Sequence, residues 1–161
     1  MNYLSILVTL AALTNFCQPL WAASPEDLAQ LQSLQQNSQK KTLDLSFADL
    51  RSYDLRGVDL KGANLQGCIL SGMDIRNINF ERADLRGADF SGATIENSSF
   101  DKTNLEGANF TGATIASTNF ERANLKNAVF DGSTLMGVNF RHARREGASF
   151  TGISEERTNW R

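Results

Sequence analysis

Histidine is nearly absent from this chain, His142 being the single one among 161 residues. No His-based catalytic triad can be assembled away from that position, and no multi-histidine metal site exists. Cysteine is almost as scarce, with Cys17 and Cys68 alone, and proline stops at Pro25. An excess of one charge is missing too. The 16 Lys and Arg against 18 Asp and Glu leave a formal charge of -2 with both signs interspersed, so no nucleic acid partner is expected. There is no phosphate loop and no dinucleotide fingerprint. These absences predict a protein that is not an enzyme, with no cofactor, no metal and no small-molecule substrate.

Long apolar runs are also lacking. The apolar run from Leu4 to Phe16 carries no charge but is too short to span a bilayer comfortably, and "QPLWAAS" follows it with a turn residue and small residues. It reads as a secretory signal peptide over 1–23, cleaved near Ala22 or Ala23, although its start carries no Lys or Arg. The expected destination is exported: a bacterial periplasm, a thylakoid lumen or the extracellular space. Cys17 follows "TNF", not the small residue a lipoprotein needs. Removal of the signal would leave Cys68 without an intramolecular partner, so no disulfide is expected.

What is present begins with "SPEDLAQLQSLQQNSQKK". Ser24 is a candidate N-cap, Pro25 suits the first helical position, and Glu26 and Asp27 suit the first turn. Leu28, Leu31 and Leu34 form one apolar stripe, which predicts a short amphipathic helix from about 25 to 36. Residues 24–42 are read as a capping helix and linker.

From Leu43 the period becomes five. Every fifth residue from Leu45 to Phe140 is Leu, Ile or Phe, and all 12 glycines fall two places after a position of this five-residue series, which continues to 145 and 150. Two places before it stands a mostly small residue, such as Ala63, Ala83, Ala88 or Ala108. Neither helix nor simple strand has this period, so a repeat architecture is required.

The unit seen as "ADLRG", "ANLQG", "ANLEG" and "ANFTG" resembles the pentapeptide repeat family, over about 43 to 152. The resemblance implies an all-β fold over 43–161, a right-handed quadrilateral β-helix with one pentapeptide per side and four per coil. At twenty residues per coil this is about six coils, with the short N-terminal α-helix capping the first. Some members of the family dimerise end to end, so a monomer or such a homodimer is expected.

That geometry can be tested by reading the sequence in steps of twenty. One column runs Leu45, Leu65, Leu85, Leu105, Leu125, and the next Leu50, Leu70, Phe90, Phe110, Phe130, Phe150. The third is Leu55, Ile75, Ile95, Ile115, Leu135, and the fourth Leu60, Phe80, Phe100, Phe120, Phe140, Trp160. Like stacks on like, and small residues leave room for the rings. Glycine falls where a type II turn requires positive φ. After the fourth column Gly62 gives way to Arg82, Lys102, Arg122 and His142, which predicts a different turn there. The inward pattern fails at Arg145 and Glu155, which predicts a distorted last coil with Trp160 as part of a lid. Phe47 and Tyr53 are expected to pack under the N-terminal helix.

Two surface features could carry function. Glu81, Asp101 and Glu121 recur beside Arg82, Lys102 and Arg122 as a charged ribbon on one corner, either a solvated edge or a stripe for a protein partner. The "RHARRE" segment gathers Arg141, His142, Arg144 and Arg145, which either protect a sheet edge or face an anionic partner, a polysaccharide or a membrane surface. Asp44, Asp49, Asp54 and Asp59 surround the first coil on different sides, too far apart for a shared acid and base pair. Thr94, Thr114 and Thr134 suit a flat β face, and Cys68 a buried inert position. The function expected is an exported, non-catalytic scaffold or protein interaction module. The resemblance supplies the alternative, a DNA-mimicking protein that binds and protects topoisomerases such as gyrase, which would need an uncleaved N-terminus and a strongly acidic surface.

Overall fold

The computed structural model describes residues 43–161 with the exception of Gly57. The expected signal peptide and capping helix lie outside the described residues. The described chain winds as an all-β parallel solenoid. Its strands are β1 (Asp74–Arg76), β2 (Thr94–Glu96), β3 (Thr114–Ala116), β4 (Thr134–Met136) and β5 (Ser154–Glu156). They form one sheet in sequence order. Each pairing is offset by one twenty-residue coil, so that Ile75 faces Ile95, Ile95 faces Ile115 and Ile115 faces Leu135.

The strands are short because each side of the coil is one pentapeptide. An inward residue sits between two outward ones, and the remaining residues turn the corner. Regular strands cover the four coil steps from β1 to β5, fewer than the expected six coils. Single parallel bridges carry the same register from Asp44 to Arg144 on the first face, from Asp49 to Ser149 on the second and from Asp59 to Asn159 on the fourth.

The four inward columns fill the interior. Phe90, Phe110 and Phe130 stack at 4.7 and 4.5 Å between ring centroids, within 7° of parallel. Phe80, Phe100 and Phe120 form the second stack at 4.7 Å. The two stacks stand on opposite sides of the square and meet edge to face, Phe90 to Phe100 at 5.7 Å and 82°, Phe110 to Phe120 at 5.8 Å and 83°. Strand spacing of about 4.8 Å dictates the separation within a stack, and the ring quadrupole favours the perpendicular meeting across it. The leucine and isoleucine columns close the other two sides.

The corners differ from the sequence expectation. Arg82 (φ 60°), Lys102 (57°), Arg122 (57°) and His142 (57°) adopt the same left-handed conformation as Gly62 (69°). The turn hydrogen bond is also the same: Ala83 N–H to the Phe80 carbonyl at 2.9 Å repeats Ala63 N–H to Leu60 at 3.1 Å. The fourth corner therefore keeps its turn in spite of the lost glycine. The N–H of each left-handed residue donates to the coil above, Arg82 to the Asp101 carbonyl at 3.0 Å and Lys102 to Glu121 at 2.9 Å. These coil-to-coil bonds hold the strained residues in place. The departure occurs instead at the third corner, where Ile78 N–H donates to Ser98 Oγ at 3.1 Å.

Left-handed φ costs a non-glycine residue about 1 kcal/mol even where space is open. Gly92 has φ +64° and nothing within 4 Å of where a Cβ would stand. Gly92→Ala is therefore expected to lower stability by about 1 kcal/mol through backbone strain alone, read as a shift in the denaturation midpoint. An unchanged midpoint would show that the corner relaxes.

The last coil is not distorted. Ser154, Leu135's neighbour Glu155 and Glu156 keep the parallel register with β4, and Trp160 stacks on Phe140 at 4.6 Å and 9°. The charged inward residues are satisfied at the open end. The Arg145 guanidinium lies 5.1 Å from the Trp160 ring centre and donates to its carbonyl at 3.1 Å, while Trp160 Nε1–H donates to Glu155 Oε2 at 2.7 Å. The lid is thus a polar plug on a regular coil. At the other end Tyr53 belongs to the core, whereas Phe47 is 59% exposed. A Cβ at position 67 would come within 2.6 Å of the Phe47 ring, so glycine there admits it.

Candidate interaction surface

The pleat sends each residue beside an inward position outward, so one position per coil builds a vertical row on the surface. On the fourth face the row at the corner reads Lys61, Glu81, Asp101, Glu121, Arg141. The next residue gives Gly62, Arg82, Lys102, Arg122, His142. Eight of the ten residues singled out from the sequence are thereby placed on the two rows, all but Arg144 and Arg145, with Lys61 added as a member sequence reasoning missed. Arg141 and His142 are the rung that follows Glu121 and Arg122 in the charged ribbon.

Within the ribbon unlike charges pair. Lys102 Nζ lies 2.7 Å from Asp101 Oδ2, Arg82 is 3.5 Å from Glu81, and Arg122 is 3.4 Å from Glu121. Lys61 reaches across one coil to Glu81 Oε2 at 2.7 Å, and that contact holds the Glu81 carboxyl below its ordinary range. The carboxylates lie closer to the wall than the cations: the Asp101 side chain is 18% exposed against 39% for Lys102. Below the corner, Asn79 and Asn119 Oδ1 accept the N–H of Glu81 (3.0 Å) and Glu121 (3.1 Å), which orients both acids.

The basic segment divides, with Arg145 set apart from the other three. Arg141 and His142 stand on the corner, Arg144 belongs to the first face opposite Asn124, and Arg145 is part of the plug.

Outward rows of this kind on a twenty-residue coil are diagnostic when the sequence model agrees. The pentapeptide repeats model matches in eight copies, over residues 44–82, 70–101, 78–115, 88–127 and 118–154. The chain belongs to the pentapeptide repeat family. Among solved structures it is similar to Rfr23, a pentapeptide repeat protein from the cyanobacterium Cyanothece 51142, with 26% identity over 62% of this chain and 65% of that one and a TM-score of 0.53. It is also similar to HetL, a pentapeptide repeat protein involved in heterocyst differentiation regulation from Nostoc sp. strain PCC 7120, with 24% identity, 69% and 54% coverage and a TM-score of 0.41. QnrB1, a plasmid-mediated fluoroquinolone resistance protein, matches with 25% identity, 73% and 59% coverage and a TM-score of 0.39. The chain spans between 54% and 65% of the length of these three proteins. No curated protein matches it in sequence.

In this pentapeptide repeat solenoid the first-coil aspartates are indeed separated on different faces, and two of them are neutralised by their own chain. Arg51 grips Asp49 with Nη2–Oδ2 at 2.6 Å, and Arg56 grips Asp54 at 2.6 Å. The bidentate contacts hold both carboxyls down to about 2. The same fork recurs at Asp84 and Arg86, 2.7 Å apart. Its sequence signal was a D-L-R or D-I-R triplet at 49, 54, 74 and 84: residues two apart on a strand share a face. Such exposed pairs contribute little stability, but they remove negative charge from the surface.

Thr94, Thr114 and Thr134 align on the outer side of β2, β3 and β4 as a flat row. Among the described residues no group of His, Cys, Asp and Glu could hold a metal ion, and no helix is long and apolar enough to cross a membrane.

Cys68 is fully buried in the column of Ala88 and Ala108. Burial pushes its thiol up to about 12, and thiolate is the reactive form. The expected result is that native protein resists iodoacetamide and reacts at Cys68 on unfolding, with label read by mass spectrometry. Rapid native labelling would show that the coil opens around it.

Proposed function

We propose that the protein is a monomeric, non-catalytic scaffold that docks a protein partner on its outer rows and works outside the cytoplasm after losing residues 1–23. The observation that carries this reading is the interlock of rows and core. Between the two end coils, outward side chains stand on a backbone hydrogen-bonded to the coils on both sides, so a partner meets a surface that is already ordered and binding costs little entropy. Export rests on the apolar Leu4 to Phe16 run followed by small residues. The monomer reading is supported by Arg145, Trp160 and Glu155, which use inward positions to finish the C-terminal end polar. The topoisomerase alternative calls for faces dominated by carboxylates, and the Asp–Arg forks and the paired ribbon work against it.

The test is in two parts. Sequencing the N-terminus of protein recovered from fractionated cells is expected to begin near residue 23 or 24 in an exported fraction; an uncleaved cytosolic product would overturn the export reading. Crosslinking in intact cells is expected to join one partner saturably to the wall of the solenoid. Reversal of Glu81, Asp101 and Glu121 to lysine is expected to weaken that join, and unchanged crosslinking would show the ribbon is only solvated. Recovery of a topoisomerase instead would favour the alternative.

A further inference from the structure

The corner row follows a rule over three coils; before them Lys61 is still paired, with Glu81, and after them the pairing stops. Three successive coils put a carboxylate first and a cation second: Glu81 with Arg82, Asp101 with Lys102, Glu121 with Arg122. The next coil puts Arg141 and His142 there. Arg161 occupies the equivalent position one coil further on, since Arg141 N–H donates to Asn139 Oδ1 at 3.1 Å and Arg161 N–H donates to Asn159 Oδ1 at 3.2 Å, and Asn139 and Asn159 are bridge partners. Two guanidinium side chains therefore rise from positions about 4.8 Å apart along the row. Among the described residues neither one forms an ion pair, and both are exposed. Arg144, just round the corner, has a single long contact to Glu146 at 3.9 Å, with both side chains about two-thirds exposed. Stacked like charges are destabilising. A chain that pairs its charges in three coils and stacks them unpaired in the fourth departs from its own pattern where an external anion can complete it.

We propose that Arg141, His142, Arg144 and Arg161 form a docking patch for a short acidic segment of a protein partner. This rests on the scaffold reading and names the partner's chemistry. The footprint selects the class of partner. The cations extend over two coils, about 10 Å, and Glu121, Asp101 and Glu81 continue the row below them. A duplex nucleic acid running along the corner would cross those carboxylates. A flat anionic membrane at this end would meet Glu146, Glu155 and Glu156, all exposed. A few carboxylates on a projecting loop avoid both.

The experiment uses the full chain and a fluorescein-labelled Asp-Glu repeat peptide, read by fluorescence anisotropy at low salt. The expected result is saturable binding that falls about tenfold in the Arg141→Glu, Arg161→Glu double variant, as two exposed attractions become repulsions. Arg141→Lys with Arg161→Lys is expected to retain most of it, and Arg56→Glu, on another face, all of it. Circular dichroism checks that each variant is folded; the residues are exposed, and the lysine pair remains a test should the reversal fail to fold. Absence of peptide binding, equal loss in Arg56→Glu, no loss in the double reversal, or tighter binding to duplex DNA or phosphatidylglycerol vesicles would each overturn the proposal. In-cell crosslinking of the double reversal separates the two readings: a partner still captured with no peptide binding leaves the scaffold standing without this patch, and no partner captured by the wild type removes the scaffold itself.

Discussion

Phe110→Ala is expected to cost about 3–5 kcal/mol of stability, at the upper end of single-residue truncations. Phe110 is fully buried and touches four rings. Phe90 and Phe130 stack on it at 4.7 and 4.5 Å, and Phe100 and Phe120 meet it edge to face at 6.3 and 5.8 Å. The lost transfer free energy of the ring is joined by a cavity that neighbours held in register by their own coils cannot collapse to fill. Phe110→Leu keeps much of the volume and should cost less. Position along the stack gives a second check. Phe150, in the last coil, is only half-buried, so Phe150→Ala should be distinctly milder. Guanidinium denaturation measures both. A Phe110→Ala loss below about 1 kcal/mol, or equal losses at the two positions, would show that the aromatic stacks do not hold the solenoid together.

The second large effect is Ala108→Asp. Ala108 is fully buried between Ala88 and Ala128 in the small-residue column, and its N–H already donates to the Leu105 carbonyl at 3.0 Å. A carboxylate there would be dry and unpaired, and an uncompensated buried charge costs about 3–5 kcal/mol. The cost depends on pH with a definite sign. Burial raises the folded-state pKa of the introduced acid above the unfolded value of about 3.9. Between those values the native state binds more protons than the unfolded one, so the variant loses stability as pH rises through that window and recovers part of it toward about pH 4. Ala108→Leu, which overfills the column without charge, should cost about 1–3 kcal/mol with no such pH dependence. If the two variants titrated alike, the penalty would be steric and the interior column would not be dry.

Much of this molecule is legible in one dimension because its long-range contacts are periodic. A residue at one fifth-place position meets the residue twenty further on, and both are chosen by the same interior. Phe90, Phe110 and Phe130 could therefore be set on one another from spacing alone, and the threonine row of β2 to β4 likewise. The candidate site was legible in part. The ribbon at Glu81, Asp101 and Glu121 could be read from its repeat, but its membership could not. Lys61 lacks a charged neighbour at Gly62 and so escaped notice, and Arg141 looked like part of a sequence cluster when it belongs to the ribbon.

Where local rules were applied to single residues they misled. A left-handed arginine or lysine is unfavourable in isolation, so Arg82 and Lys102 argued for a new turn. In the solenoid their N–H groups complete hydrogen bonds to the coil above, and that register outweighs the local preference. Arg145 and Glu155 likewise looked like failures of the inward pattern, until Trp160 was seen to engage both.

Composition and period were enough to establish the repeat, the inward columns, the buried Cys68 and the outward charges, because each depends only on which residue types recur at a given step. Which corner departs from the common turn, how the end is closed, and which cations are left without a carboxylate depend on distances between residues one coil apart or across the end. Those distances exist only when every coil is stacked at once, and they turn a run of charged letters into paired ribbon, polar plug and open patch.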